Sequence, residues 1–384
     1  MKNKKSTISD IENHLPEFAP GALIVPSTQD GHSIAERMAA YKIPGVSIAV
    51  IDEYQVQWAK GYGLLKAGEP DAVTPQSLFQ ACSTSKMVTA PIALRLVEQG
   101  MLDLDTDVNT YLKSWQIPEA EFTCSHKVTL RRLLSHQSGV NRPDGGFEWD
   151  EDSTPTLVQI LMGEPPARVQ AAHVEFTPGS KWQYANFGYA IIQLILEDIL
   201  GKPFEDIAEE VIFAPLGMKD STFRYPLQAE WARREITLHG KEGQPTEPGL
   251  IPSAVAHGGL LTTPSDLTCF GIELMRAYQG QSNVLLSPEM ARQMFHQEMW
   301  VDDLTVFGFP FGQGLGAFLG KEGANKFVFH PGGNDPGASC LLCLLPETGQ
   351  GAVIMTNGLQ GLLLTVEIVS AIAHEYHWYG SPMR

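Results

Sequence analysis

The order of apolar and polar positions divides the chain into three stretches. Near the start, "HSIAERMAAYKI" (32–43) repeats apolar residues at helical spacing and stops at Pro44-Gly45, which predicts a helix. "VSIAVID" (46–52) and "YQVQWAKGYG" (54–63) are strand-like, and the short polar turn between them predicts a hairpin. From about residue 84 to 300 helical patterns dominate. "PIALRLVEQG" (91–100) ends on a C-cap glycine, "VTLRRLLSH" (128–136) follows, and "YAIIQLILEDILG" (189–201) is apolar over most of its surface. Pro91 falls inside one of these helices, where it removes a backbone donor and predicts a kink. Past residue 305 the strand pattern returns in "KFVFH", "ASCLLCLLP" and "GAVIMTN", before a last helix at 362–378.

Strands at both ends with helices between them predict an α+β fold. An antiparallel sheet is built from the two chain ends, flanked by helices, with a large, mostly helical region inserted. The expected division is a discontinuous sheet domain at 30–83 and 305–384 and a helical domain at 84–304, with the active site between them. The stretches 141–155 and 239–249 are turn-rich and predict surface loops, the first of them acidic.

Composition narrows the function. The 384 residues hold 43% hydrophobic positions, ample for a large core, and a formal net charge of −17. Such a charge argues against a nucleic-acid groove or an anionic membrane surface as partner. The five cysteines have no paired spacing, and Cys340 and Cys343 lie in an apolar strand, so all five are expected to be reduced. The basic N-terminus leads into no apolar run and no stretch approaches a membrane span. The expected location is therefore cytoplasmic, or periplasmic if a leader has been removed.

Candidate chemistry begins in "FQACSTSKMVTA" (79–90). On a helix starting near 83, Ser83 and Lys86 share a face and Ser85 does not. A serine hydroxyl needs a base, and a lysine kept neutral by desolvation or a nearby cation supplies one. Backbone N–H groups at the helix start offer donors to a developing oxyanion. Nothing in the sequence sets a base beside Cys82, which reads as a small buried residue.

Other motifs accompany this one. Tyr184-Ala185-Asn186 precedes an apolar helix, and His330-Pro331-Gly332-Gly333 ends a strand, with "VTLRRLLSHQSGV" (128–140) and "HGGLLTTPSDL" (257–267) between. From roughly residue 30 to 375 the chain resembles the serine β-lactamase and penicillin-binding superfamily, in its class C β-lactamase-like branch of DD-peptidases, D-aminopeptidases and family VIII carboxylesterases. The resemblance implies a β-lactamase/transpeptidase-like fold and an acyl-enzyme on Ser83, with Lys86 as base and Tyr184 passing the proton to the leaving group. It also implies that Asn186 holds a substrate amide or the lysine, that Ser83 and Gly333 form the oxyanion hole beside Gly332, and that His330 stabilises charge near Tyr184 or orients it. It implies no metal and no cofactor.

This chain departs from the family at Pro331, where the usual hydroxyl binds a substrate carboxylate, and at His330, which replaces a fixed positive charge. The leading expectation is thus hydrolysis of small or medium carboxylic esters, with slow turnover of β-lactams. A β-lactamase or D-amino-acid peptidase, an acyltransferase, and a penicillin-binding sensor that acylates and stalls are the alternatives. The partner is a small ester, amide or β-lactam, and oligomeric state is left open.

Other candidates read as structural. His136 is assigned a core hydrogen-bonding role, and His257 is similar, though near enough to the oxyanion hole to line the pocket. "HEYH" (374–377) lacks zinc-helix spacing and reads as a solvated helix face, and "GQGLG" (312–316) as a tight strand or bulge. No G-x-S-x-G elbow occurs, which argues against an α/β-hydrolase.

Overall fold

The computed structural model describes residues 4–25, 31–142, 153–246, 253–322 and 325–378. Most of the acidic loop expected at 141–155, and the end of the loop at 239–249, lie outside the described residues.

The centre of the molecule is an eight-stranded antiparallel sheet. Its strands are β1 (Gly45–Asp52), β2 (Gln55–Gly63), β3 (Met299–Val301), β4 (Phe311–Gln313), β5 (Phe318–Glu322), β6 (Asn325–Asn334), β7 (Ala338–Leu345) and β8 (Gln350–Thr356), in the spatial order β2-β1-β8-β7-β6-β5-β4-β3. The hairpin at the start of the chain thus docks on the last strand, with Ile48 opposite Ile354. Both chain ends build one sheet.

Helices cover it on both sides. Those on the strands are α5 (Pro264–Tyr278) and α6 (Gly361–Glu375); α1 (Ile34–Ala40) lies against α6, and α2 (Ser85–Glu98) and α3 (Leu130–Leu134) pack on α4 (Asn186–Leu200) in the helical region. Helix α1 starts in a capping box formed by Ser33 and Glu36. Helix α2 continues past Pro91 as far as Glu98. Helix α5 lies within the helical stretch of the sequence yet packs on the sheet against β1 and β8.

The uninterrupted apolar run of β7 is explained by these two covers. Cys340, Leu342 and Leu344 join the core that holds α2, α4 and α5, while Leu341, Cys343 and Leu345 join the core that holds α6. A strand buried on both faces loses the polar alternation of a half-exposed one. Among the described residues, no helix is long and apolar enough to cross a membrane.

Candidate active site

The turn that carries Ser83 is fixed before the helix begins. Phe79–Gln80 pairs with Leu261–Thr262, and the Ala81 N–H donates to Leu260 O at 2.8 Å. Cys82 then takes a left-handed conformation, φ 50°, and Ser83 sits in a 3-10 turn, Cys82–Thr84, that feeds α2 at Ser85. A non-glycine residue held at positive φ carries strain of the kind concentrated at working sites. Polar side chains lock the turn. Ser85 Oγ donates to Cys82 O at 2.6 Å and accepts from Leu260 N–H at 3.1 Å, while Thr84 Oγ1 donates to His330 O at 3.1 Å.

That last bond joins the turn to strand β6. Strand β5 pairs with β6 only from Asn325 to Phe329, so His330–Asn334 have a strand partner, β7, on one edge alone. Proline is tolerated at such an edge, where Pro331 costs the sheet little. Gly332 is required for a different reason. A Cβ there would stand 2.3 Å from Ala81 O and 3.0 Å from Ser83 N, so only glycine lets β6 approach the Ser83 turn this closely. A Cβ on Gly333 would meet nothing nearer than Leu362 at 3.4 Å.

Lys86 is fully buried one turn along α2. Its Nζ lies 3.3 Å from Ser83 Oγ and donates to His257 O at 2.7 Å. It also stands 4.8 Å from the centre of the Tyr184 ring and 5.6 Å from that of Tyr189. Burial pushes its pKa far below the ordinary lysine value; Cys82 opposes this and Arg142 adds to it. The amine is therefore held toward its neutral, basic form.

Tyr184 arrives from about a hundred residues downstream. His136 positions it: the imidazole packs on the phenol with ring centres 4.3 Å apart, its Nδ1 accepts from Ala185 N–H at 3.3 Å, and its carbonyl accepts from Gln183 N–H at 2.8 Å. On the other side Trp182 Nε1 donates to Gln313 Oε1 at 2.9 Å. Burial raises the Tyr184 pKa above that of a free phenol, and a hydrogen bond with Ser83 and the charge of Arg142 offset only part of this. It is a phenol at neutral pH, beside an amine whose pKa burial has pushed down.

His330 is buried, and its Nδ1 lies 2.8 Å from Pro331 O, the bond a neutral imidazole makes with Nδ1–H as donor. Burial, with the charge of Lys86 second, lowers its pKa to about 3. It supplies no positive charge at neutral pH. Asn186 opens α4, and its buried Oδ1 has no hydrogen-bond partner among the described residues; Lys86 bonds to Ser83 and His257 instead. Cys82 is no rival nucleophile. Burial, the charge of Cys340 second, lifts its thiol pKa well above the usual value.

A cleft of about 560 Å³ opens on this group, a size suited to a small organic ligand. Ser83, Tyr184, His330, Pro331, Gly332 and Gly333 line it. Sequence reasoning missed its apolar floor (Trp182, Val306, Phe307, Phe318 and Leu362) and its cation, Arg142. Trp182 lies two positions before Tyr184, which is a faint signal; the others meet only in three dimensions. The His257 carbonyl was missed because a backbone acceptor leaves no mark on residue type. Among the described residues, no cluster of three or more His, Cys, Asp or Glu side chains is placed to hold a metal ion. His374 and His377 are exposed.

A family model described as Beta-lactamase matches residues 32–368. The chain belongs to the beta-lactamase family. It is 29% identical over 327 residues to Penicillin-binding protein 4 of Amycolatopsis lactamdurans, covering 83% of this chain and 82% of that protein. It is 26% identical over 350 residues to Unguisins hydrolase ungD' of Aspergillus campestris, covering 86% of this chain but 62% of that longer protein. The octameric penicillin-binding protein homologue from Pyrococcus abyssi superposes with a TM-score of 0.72 at 26% identity, over 89% of this chain and 75% of that one. Family relatives with esterase, D-alanyl-D-alanine carboxypeptidase and amidase names also match. The superfamily is one of serine hydrolases, and the fold is theirs.

Proposed function

We propose that this protein hydrolyses carboxylic esters through an acyl-enzyme on Ser83. The observation that carries the reading is the buried Lys86 amine, its pKa pushed down by burial, 3.3 Å from the Ser83 hydroxyl in a cleft that Ser83 shares with Tyr184.

In the first half-reaction Ser83 Oγ attacks the ester carbonyl and its proton passes to Lys86 Nζ. Tyr184 gives its phenolic proton to the departing alkoxide, and the alcohol leaves. The acyl-enzyme then faces a lysine cation and a tyrosine phenolate whose ring and ammonium lie within cation–π distance. In the second half-reaction the phenolate takes a proton from water, hydroxide attacks the acyl carbonyl, and Ser83 Oγ leaves with the proton of Lys86. All protons are returned. The N–H groups of Ser83 and Gly333 are assigned to the oxyanion, the usual source of the largest single rate effect. The orphan acceptor of Asn186 suits a substrate N–H or O–H donor.

Pro331 and neutral His330 support esters over carboxylate-bearing lactams and peptides. Along the β6 wall, where the leaving half is placed, there is no hydroxyl at 331 and no charge at 330. The test compares kcat/KM for p-nitrophenyl butyrate, phenyl butyrate and penicillin G. Ester efficiency at least tenfold above that for penicillin G is expected; the reverse order overturns the substrate assignment.

A further inference from the structure

The cleft contains one permanent cation among its described lining residues, and the mechanism above does not use it. Arg142 follows the His136 segment and lies on the helical wall, its guanidinium carbon 5.7 Å from the centre of the Tyr184 ring. It is exposed, and among the described residues it has no carboxylate partner and no hydrogen bond to another side chain. Several arginines elsewhere are paired with carboxylates: Arg37 with Glu367, Arg131 with Asp105 and Glu298, and Arg234 with Asp220. In a chain of net charge −17, Arg142 is a guanidinium without a carboxylate partner among the described residues, beside the Tyr184 ring in the cleft.

Its chemistry points to one class of ligand. A guanidinium presents a planar fork of donors that matches a carboxylate. The acid lining the same cleft, Asp303, carries Thr305 on its own carboxylate, whose Oδ1 accepts from both the Thr305 N–H and hydroxyl. The remaining floor is apolar, so a ligand's charged end has one favourable place. The leaving half runs along the β6 wall in the ester reading, which leaves the acyl half to the wall of Arg142.

We propose that Arg142 is a specificity-determining residue that binds a carboxylate at the far end of the acyl group, so that half-esters of short dicarboxylic acids are preferred substrates. The inference rests on the ester reading.

The test uses the full chain and two p-nitrophenyl esters of equal acyl length, the neutral valerate and the anionic hemiglutarate. Wild type is expected to favour the hemiglutarate at least tenfold in kcat/KM. R142Q is expected to lower that ratio at least tenfold, chiefly through KM for the anionic ester. R142E is expected to bring it below one, and R142K to retain most of it, which separates charge recognition from a folding defect. A second pair, phenyl valerate and 4-(valeryloxy)benzoate, places the charge on the leaving half and is expected to show no preference that depends on Arg142. A wild-type ratio of one or less, a ratio unmoved in R142Q, or an Arg142-dependent preference in the second pair overturns the proposal. Turnover of both p-nitrophenyl esters without preference removes only this inference, whereas turnover of neither removes the ester reading itself.

Discussion

Lys86 Nζ stands 3.3 Å from Ser83 Oγ and is tied to the carbonyl of His257 at 2.7 Å. The carbonyl holds the amine at the hydroxyl, and burial pushes its pKa down. Both effects come from folding α2 under the 256–260 segment, to which Thr89 Oγ1 is also bound through Ala256 O. The core therefore shapes the amine proposed as the base.

Replacing Lys86 by Met is expected to lower kcat at least a thousandfold, near the upper range for loss of a general base. The same variant carries a stability signature. Between its depressed folded pKa and the ordinary unfolded value of about 10.4, the unfolded chain binds one proton more than the folded one. Wild-type stability should then rise with pH through that window relative to K86M. Urea midpoints of both proteins at pH 7 and pH 9.5 check this; a gap that stays constant or moves in favour of K86M contradicts it.

Acid is expected to destabilise the fold through three histidines. Burial, with the charge of Lys86 second, depresses His136, His257 and His330, the last to about 3. Below an unfolded value of about 6.5 the unfolded chain takes up protons that these rings refuse, so stability falls as pH drops, by up to about 1.4 kcal/mol per pH unit for each. Thermal unfolding at pH 7.5 and pH 5.0 should show a lower Tm at pH 5.0, with a shallower drop in H330Q. An equal slope in H330Q would contradict the neutral state assigned to His330.

Tyr184→Phe separates the two proton carriers. The variant keeps the ring packed on His136 and loses only the hydroxyl. It should therefore impair phenyl and alkyl esters far more than p-nitrophenyl esters, whose leaving group departs without help. A loss of at least a hundredfold on phenyl butyrate, and at least tenfold less on the p-nitrophenyl ester, is expected in kcat/KM, which reports acylation, whereas kcat falls for both wherever the shared deacylation step limits it. Equal losses on both would give Tyr184 another task.

Much of this arrangement is legible in residue types. The hairpin of β1 and β2, the double-faced strand β7 and the helix of Ser83 and Lys86 follow from apolar period and from three-residue spacing. The convergence of Tyr184 with that pair follows from motif order, through resemblance. Other features are not legible, because they depend on tertiary placement. The spacing from Ser83 marks Lys86 as a base, but the burial that lowers its pKa is seen only in the fold, and the His257 contact is made by backbone. The carbonyl and ring of His136 shape the Tyr184 segment in a way that "LLSHQSG" does not announce. Arg142 reads as a loop charge six positions past His136, and only the fold turns it toward Tyr184.

Gly332→Ala tests the seam between β6 and the nucleophile turn. The added Cβ would meet Ala81 O at 2.3 Å, a backbone atom with little freedom to yield. The expected outcome is a drop in kcat of at least a hundredfold together with a lower Tm, since overpacking commonly costs about 1–3 kcal/mol. Gly333→Ala has room for its methyl and should fold with near wild-type Tm. Equal Tm loss in the two variants would show that the close approach at Gly332 is not what restricts this strand.

The most direct measurement is intact-protein and peptide mass spectrometry after exposure to a p-nitrophenyl phosphonate. The account predicts one adduct per chain, located on Ser83, absent in Ser83→Ala, and formed far more slowly in Lys86→Met. An adduct on another residue, or undiminished labelling of Ser83→Ala, would contradict it.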